Sequence, residues 1–521
     1  MSQREYQAKR ASGQQSARKE PTRKKSRKGR GKKGSVLPGV LITLVMAVVM
    51  LCFFAFIVKT GFLPAKLMVV LAVVLLALTA LIGWLTVRTP KSRRFRAGVI
   101  GSLVLCALLL LVSFYVARGI STLNSITGKD SQSAHIGIFV LADDPAQELG
   151  DMADYTFGVL SLLDRENIND SIEQMEDALG GSVAIAECGG LTELMDALFS
   201  GEVGAILLNS AYLDVIADMD GYKDVNSRIR EVTNFTVESS ISGTEYDEED
   251  KIITLYLSGI DSRNGLVAKS RSDTNIIATV NLETHQVLLL STPRDYFIPL
   301  SISDGKRDKL THAGIYGVDC SIESLEMFYG IDIDYYFRVN FSGFEDIVNA
   351  LGGITVYSDY DFSSSISKGD TGTLYTYKKG YNDLNGIEAL YFARERYSFK
   401  EGDAQRARNQ MAVIKAIVNK ALSPEILTSY LSLLNAVEGS FETSVPYDLI
   451  ASLVRRQLDE GGGWNIVTYA PTGTDGKEVP YSMSQKAYVT IPDETTVEYA
   501  KQLMERIRNG EVLTQEMIDG E

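Results

Sequence analysis

Three apolar runs, Val36–Val58, Leu67–Val87 and Ala97–Ala117, dominate any folding argument for this chain. Each is close to the ~20 residues that cross a bilayer as a helix. Lipid offers no partner for backbone N–H and C=O groups, so such runs must satisfy their own hydrogen bonds as helices. The first run is too long for a simple signal peptide and lacks a small-residue cleavage pattern. Charge sets the expected orientation. Residues 1–35 hold thirteen Lys and Arg against Glu5 and Glu20, about +11, and residues 36–117 hold no acid. Arg88 through Arg96, between the second and third runs, adds five basic residues. Cytoplasmic segments are rich in Lys and Arg, so the tail and this loop are expected inside the cell. Three crossings then place everything after Arg118 outside. The formal net charge of −14 leaves that remainder near −32 by the same count. Residues 1–35 are too polar to build a core and are expected to be disordered. Beside a span they read as a topology signal leaning on anionic membrane lipids, and nucleic acid is disfavoured as a partner.

Beyond a polar linker, Gly119–Ser133, residues 118–234 read as a small α/β accessory domain. Strands are expected at Ile136–Leu141, Ser182–Glu187 and Ala205–Asn209. Helices are expected at Gln147–Arg165, Asp170–Leu179, Leu191–Phe199 and Ser210–Met219. This alternation predicts a parallel sheet. Gly189-Gly190, ahead of a helix, reads as an ordinary turn rather than an anion site. Residues 235–490 form the larger domain. It opens with the alternating run Lys251–Leu257, then the runs Ile276–Leu282 and Gln286–Leu290 as a hairpin around Glu283-Thr284-His285. Strands follow at Tyr335–Asn340, Ile354–Tyr357 and Asn465–Ala470. Helices follow at Cys320–Tyr329, Phe341–Leu351, Ala404–Leu422, Pro424–Val437 and Tyr447–Leu458, with a surface loop at Ser363–Thr376. The mixed order predicts an α-β-α sandwich with a mixed central sheet. Residues 491–521 read as a polar C-terminal tail. Cys188 and Cys320 fall in separate domains, and their spacing gives no support for a disulfide.

The chemistry gathers at strand ends. Asp261, Arg263, Arg271 and Asp273 lie in or beside the loop after the first strand, and Arg294 and Asp295 follow the hairpin. Guanidinium forks match phosphate oxygens, and carboxylates can hold Mg²⁺, so this set suits a diphosphate. Oxygen ligands suit Mn²⁺ as well. Arg394 and Arg396 are spaced to share one face of an extended segment. Arg406 and Gln410 sit one helical turn apart. His312 has no identifiable partner and reads as a satisfied structural histidine rather than a general base. No Ser-His-Asp order with a nucleophile elbow is present, which disfavours a covalent acyl mechanism.

These residues occur within Gly259-Ile260-Asp261-Ser262-Arg263, Arg271-Ser272-Asp273-Thr274, Pro293-Arg294-Asp295, Lys309 with Ala313 and Gly314, and Leu351-Gly352-Gly353-Ile354. Gly386 with Ala389-Leu390, Arg394-Glu395-Arg396, and Asp403, Arg406 and Arg408-Asn409-Gln410 follow in order. In this the chain resembles the LytR-CpsA-Psr family of bacterial cell-envelope proteins. Its accessory domain and multiple spans resemble the longer, streptococcal-type members that attach capsule. Thr311-His312 departs from the family's usual Asn and small residue. The resemblance implies transfer of a teichoic acid or capsule-type glycopolymer from a polyprenyl-diphosphate carrier to peptidoglycan. It implies that Arg271, Arg294, Arg394 and Arg396 grip the diphosphate with Arg406, Gln410 and Lys309, and that Asp261 and Asp273 hold Mg²⁺. Arg263, Asp295 and Asp403 are expected to support those groups, and Met411, Ile414 and Val418 to line a groove for the lipid tail. Other envelope-assembly proteins are expected partners. A polyprenyl-diphosphate phosphatase and a non-catalytic lipid-glycan-binding regulator remain open on the same residues.

Overall fold

The computed structural model describes residues 35–87, 92–127, 131–240, 247, 250–260, 270–365, 374–421, 423 and 441–520. The three apolar runs are helices: α1 (Leu37–Thr60), α2 (Ala65–Thr86) and α3 (Arg93–Ile126). All three are long and apolar enough to cross a membrane. Polar side chains along them bond locally or to one another. Thr43 and Thr86 share a 2.8 Å hydrogen bond, and the Thr79 hydroxyl donates to the Leu75 carbonyl at 2.8 Å. The Gly119–Ser133 stretch, expected as a linker, is largely structured, because α3 continues to Ile126 and a strand begins at Ser131.

The accessory sheet consists, among the described residues, of β1 (Ser131–Leu141), β2 (Thr156–Leu160), β3 (Ala184–Cys188), β4 (Ala205–Asn209) and β5 (Ile229–Ser240), in the order β3-β2-β4-β1-β5. Helices α4 (Arg165–Leu179), α5 (Leu191–Ser200) and α6 (Tyr212–Ala217) cover it. Two expectations fail here. The helix expected at Gln147–Arg165 is a short turn at Leu149–Met152 followed by β2. Phe157, Val159 and Leu160 are all buried, and a five-residue strand buried on both faces has no periodicity to separate it from a helix. The sheet is also mixed rather than parallel: β2 pairs parallel with β3 and β4, but β1 pairs antiparallel with β4 and β5. β5 runs to Ser240 and pairs with β1 along its length, so this domain extends past residue 234.

The larger domain is built on β6 (Ile252–Ile260), β7 (Ser272–Asn281), β8 (Gln286–Thr292), β9 (Tyr335–Asn340), β10 (Phe441–Thr443) and β11 (Asn465–Tyr469). Among the described residues the order is β10-β9-β6-β7-β8-β11, with β9–β6 and β8–β11 parallel and the other pairs antiparallel. Successive residues of β7 face opposite layers. Ile277 joins Tyr256, Leu288 and Leu290 against α7 (Leu310–Tyr316) and α8 (Val318–Tyr329). Ile276 joins Ala278, Leu289 and Ile466 against α11 (Asp403–Ala421). The remaining helices used below are α9 (Phe341–Ala350), α10 (Gly386–Arg394), α12 (Tyr447–Glu460) and α13 (Glu494–Arg508). This is the expected α-β-α sandwich.

The expected polar tail is not a tail. Val497, Ala500, Leu503, Met504 and Ile507 of α13 are buried in the same cluster as Tyr256 and Leu288. Their spacing is that of an amphipathic helix. The loop expected at Ser363–Thr376 carries a short strand pair, Phe362–Ser364 with Tyr375–Tyr377. The helix expected at Pro424–Val437 lies outside the described residues. On α12, the Tyr447 hydroxyl donates to the Thr60 carbonyl at 2.9 Å, and Asp459 pairs with Lys66 at 3.0 Å. The cysteines are free, and Cys188 and Cys320 are buried thiols rather than a disulfide.

Candidate functional site

β6, β8 and β9 run in one direction and end at the same edge of the sheet, where the oppositely running β7 begins. That edge places Gly259, Asp273, Arg294 and Asn340 together. A register shift between Gly259 and Ile260 opens the ladder there, as bulges do beside binding sites. Under the edge, Tyr256 donates to Asn275 Oδ1 at 2.6 Å, and the Ser258 and Ser272 hydroxyls are 2.8 Å apart. These bonds fix the start of β7 and so the direction of Asp273.

A cavity of about 900 Å³ opens at this edge between the sheet, α9, α10 and α11. Its charged end is lined by Arg271, Asp273, Arg294, Arg394, Arg396, Arg406 and Gln410. Its apolar part is lined by Leu257, Phe337, Val339, Phe344, Ile347, Leu390, Ile414, Ile417 and Val418. The arginines are interleaved with carboxylates. Arg294 NH1 donates to Asp273 at 2.8 Å while its Nε reaches Asp295 at 3.3 Å. Asp403 Oδ1 lies 3.2 Å from Arg406 and 3.5 Å from Arg396. That oxygen is buried and has charge contacts but no aligned hydrogen bond. Arg394 ends α10 and lies over the Phe341 ring at 4.0 Å. It is therefore helical, with the extended backbone beginning at Glu395, yet Arg394 and Arg396 still reach one cavity.

Burial opposes charge throughout this end. It would raise the Asp273 carboxyl, but the charges of Arg294, Arg406 and Arg271 outweigh it and hold the group below its ordinary value. Arg294 is held charged against burial by Asp273 and Asp295. Arg406 is pushed the other way, by burial and by Arg294, with Asp403 and Asp273 only partly compensating. Cationic groups thus outnumber carboxylates among the residues that line this end.

Several expected residues take other places. Asp261 and Arg263 lie outside the described residues. Lys309 does not line the cavity; its ammonium is 3.3 Å from Asp295, behind Arg294. Met411 is buried against Ile276, Ala278, Leu289 and Ile466 rather than lining the lipid groove. Met411 shares a face of α11 with Ile414 and Val418 and packs in the same cluster, but only Ile414, Ile417 and Val418 line the cavity. Gly189 donates to Glu193 at 2.6 Å, as expected of a turn already satisfied by its own chain. His312 is 2 % exposed, and its Nδ1 lies 2.7 Å from Asp308 and 2.8 Å from Ser482. Two partners on one ring nitrogen, away from the cavity, make it a structural tie between α7 and the 480s. Arg408 bonds to Gln405 and Glu401, and Asn409 ties α11 to the Phe392 carbonyl at 3.2 Å.

Two contributors had no sequence signal. Phe341 stacks on Arg394 only because β9 ends where α10 ends. Asp218, beyond the end of α6, also lines the cavity and accepts from Arg271 NH1 at 2.7 Å.

The chain is 35% identical over 197 residues to a polyisoprenyl-teichoic acid–peptidoglycan teichoic acid transferase TagU from Bacillus cereus, covering 38% of this chain and 61% of that protein. It is 34% identical over 229 residues to the enzyme of that name from Enterococcus faecalis, covering 44% of this chain and 72% of that one. The crystal structure of Bacillus subtilis TagV superposes with a TM-score of 0.41 at 28% identity, over 50% of this chain and 99% of that one. The chain spans less than two thirds of the length of the B. cereus relative. Residues 213–502, more than half of the chain and the whole of the cavity described above, match the LytR_cpsA_psr family, and the protein belongs to that family.

Proposed function

We propose that this protein transfers a glycopolymer from a polyprenyl-diphosphate carrier to peptidoglycan by phosphoryl transfer. The observation that carries this reading is the continuity of one cavity from an arginine-rich end to an apolar interior. A polyprenyl diphosphate has that polarity, an anionic head on an apolar tail. Arg294, Arg394, Arg396 and Arg406 bind the head, and Leu257, Phe344, Ile414 and Val418 take the tail. A sugar hydroxyl attacks the phosphorus that bears the glycan, the bond from that phosphorus to the bridging oxygen breaks, and polyprenyl phosphate leaves, carrying off the hydroxyl's proton. The arginines stabilise charge that develops on the leaving oxygen. Asp273, held below its ordinary value, is a weak base and serves to orient Arg294.

Mg²⁺ fits the same end. Asp273 remains anionic among arginines, and Mg²⁺ commonly sits on one or two carboxylates plus substrate phosphate oxygens. Among the described residues no group of three or more His, Cys, Asp or Glu forms a ready-made cage, so the donor set suits an ion shared with the diphosphate. Asp273 would hold it with Asp261, and the ion would neutralise phosphate charge. Mn²⁺ suits the same oxygens. The basic tail and the Arg88–Arg96 segment support a reading with the N-terminus in the cytoplasm and the larger domain outside, on the side of the lipid donor and the peptidoglycan acceptor. Teichoic acid is the glycopolymer named for the relatives; a capsule-type polymer fits the same chemistry.

The test uses the full chain in detergent with a synthetic polyprenyl-diphosphate glycan, Mg²⁺ and peptidoglycan oligomers, read by mass spectrometry. A joined product that falls by about 10²–10³ in Arg294→Ala supports the transferase. Released glycan phosphate without joining, in the presence of acceptor, points instead to hydrolysis. Tight lipid binding without turnover points to a regulator.

A further inference from the structure

The accessory domain has no role in the reading above, yet one of its carboxylates lines the cavity. Arg271 is turned toward that domain. Its NH1 donates to Asp218 at 2.7 Å, and its NH2 lies 3.8 Å from Asp214. Its Nε is buried with no hydrogen-bond partner. The side chain is 16% exposed, against 57% for Asp218. Arg271 nonetheless stands close enough to Asp273 to stabilise its charge.

The segment that carries the two carboxylates is anchored on the larger domain. The accessory domain shares a core with the larger one: Tyr212, Val215 and Ile216 of α6 pack with Ile315 and Met483. Asn209 reaches the Ile315 carbonyl at 3.5 Å, and Asp220 exchanges two 3.2 Å hydrogen bonds with Gln485. A buried donor without a partner is costly, so the outward pose of Arg271 is incompletely satisfied. What favours it is charge. Arg294, Arg396 and Arg406 crowd the charged end, so turning a further guanidinium deeper among them is unfavourable. A bound diphosphate reverses that sign.

We propose that Asp218, supported by Asp214, is a positioning residue that holds the Arg271 guanidinium toward the accessory domain until a diphosphate takes it over. This rests on the diphosphate reading of the cavity. The accessory domain thereby sets the affinity of the site through one competing ion pair, with a side-chain rotation and no movement between domains.

The experiment measures binding of farnesyl diphosphate with Mg²⁺ to the full chain in detergent, for wild type, Asp218→Asn, Arg271→Gln and the double variant. Asp218→Asn is expected to tighten binding about threefold, the scale of a partly exposed ion pair. In the Arg271→Gln background the same change is expected to do nothing, because the competing cation is gone. Asp218 is exposed, and an unchanged thermal unfolding midpoint checks that its variant folds. Unchanged or weakened binding in Asp218→Asn overturns the proposal, as does a tightening that persists without Arg271, which would be simple charge removal. Wild type that fails to bind farnesyl diphosphate at all overturns the diphosphate reading itself, and this inference with it.

Discussion

Arg294 shows how much one residue type can decide. Its fork joins Asp273 and Asp295 at once, and Lys309 braces Asp295 from behind. A lysine keeps the charge but reaches only one of these carboxylates. Arg294→Lys should therefore leave transfer down roughly tenfold or more, against 10²–10³ for alanine, measured as joined product per unit time. Asp273 makes a second prediction. Its folded-state pKa is depressed, so its contribution to stability is present above its unfolded value of about 4 and is lost as pH falls through the lower folded value. The unfolding midpoint of wild type should fall more steeply below about pH 4 than that of Asp273→Asn; parallel curves would count against the arginine contacts as the cause. Arg271, Asp273 and Arg294 were legible in the sequence because they cluster at predicted strand ends, whereas Arg394, Arg396 and Arg406 were read from their spacing alone. Lys309 and Met411 were misplaced because spacing along the chain does not say how deep a side chain is buried or which carboxylate it meets.

At the scale of elements, close approach explains two of the glycines in the family motifs, Gly314 and Gly386. A Cβ on Gly314 of α7 would stand 2.4 Å from the Ser270 carbonyl oxygen and 3.0 Å from the Ser272 nitrogen. A Cβ on Gly386, at the start of α10, would stand 2.2 Å from the Glu345 oxygen of α9. In both cases the obstacle is backbone, which cannot swing aside. Gly314→Ala should push on the start of β7, destabilise by about 1–3 kcal/mol and weaken diphosphate binding; Gly386→Ala should destabilise similarly. Thermal unfolding and farnesyl diphosphate titration check both. The α10 start was readable from its sequence, since Asn385 and Glu388 form a capping box. β2 was not, because Thr156–Leu160 is short, buried and without period.

For the whole molecule, α13 carries the clearest prediction. It places five buried apolar side chains in the core beneath the sheet, each of the kind that contributes about 1.5–3 kcal/mol when fully buried if large, and less for alanine. A chain ending at residue 490 should lose cooperative unfolding by circular dichroism. A truncated chain that unfolds as sharply as the full one would return that segment to the role of a tail. The sequence by itself determined the three apolar helices, the sandwich class and the arginine-rich strand ends, because hydrophobic period and local charge are properties of neighbouring residues. Only the tertiary structure decided that α13 belongs to the core, that Met411 faces the sheet, and that Asp218 meets Arg271. Those outcomes depend on which distant surfaces share a boundary, and burial and ion pairing act between such surfaces whatever their separation along the chain.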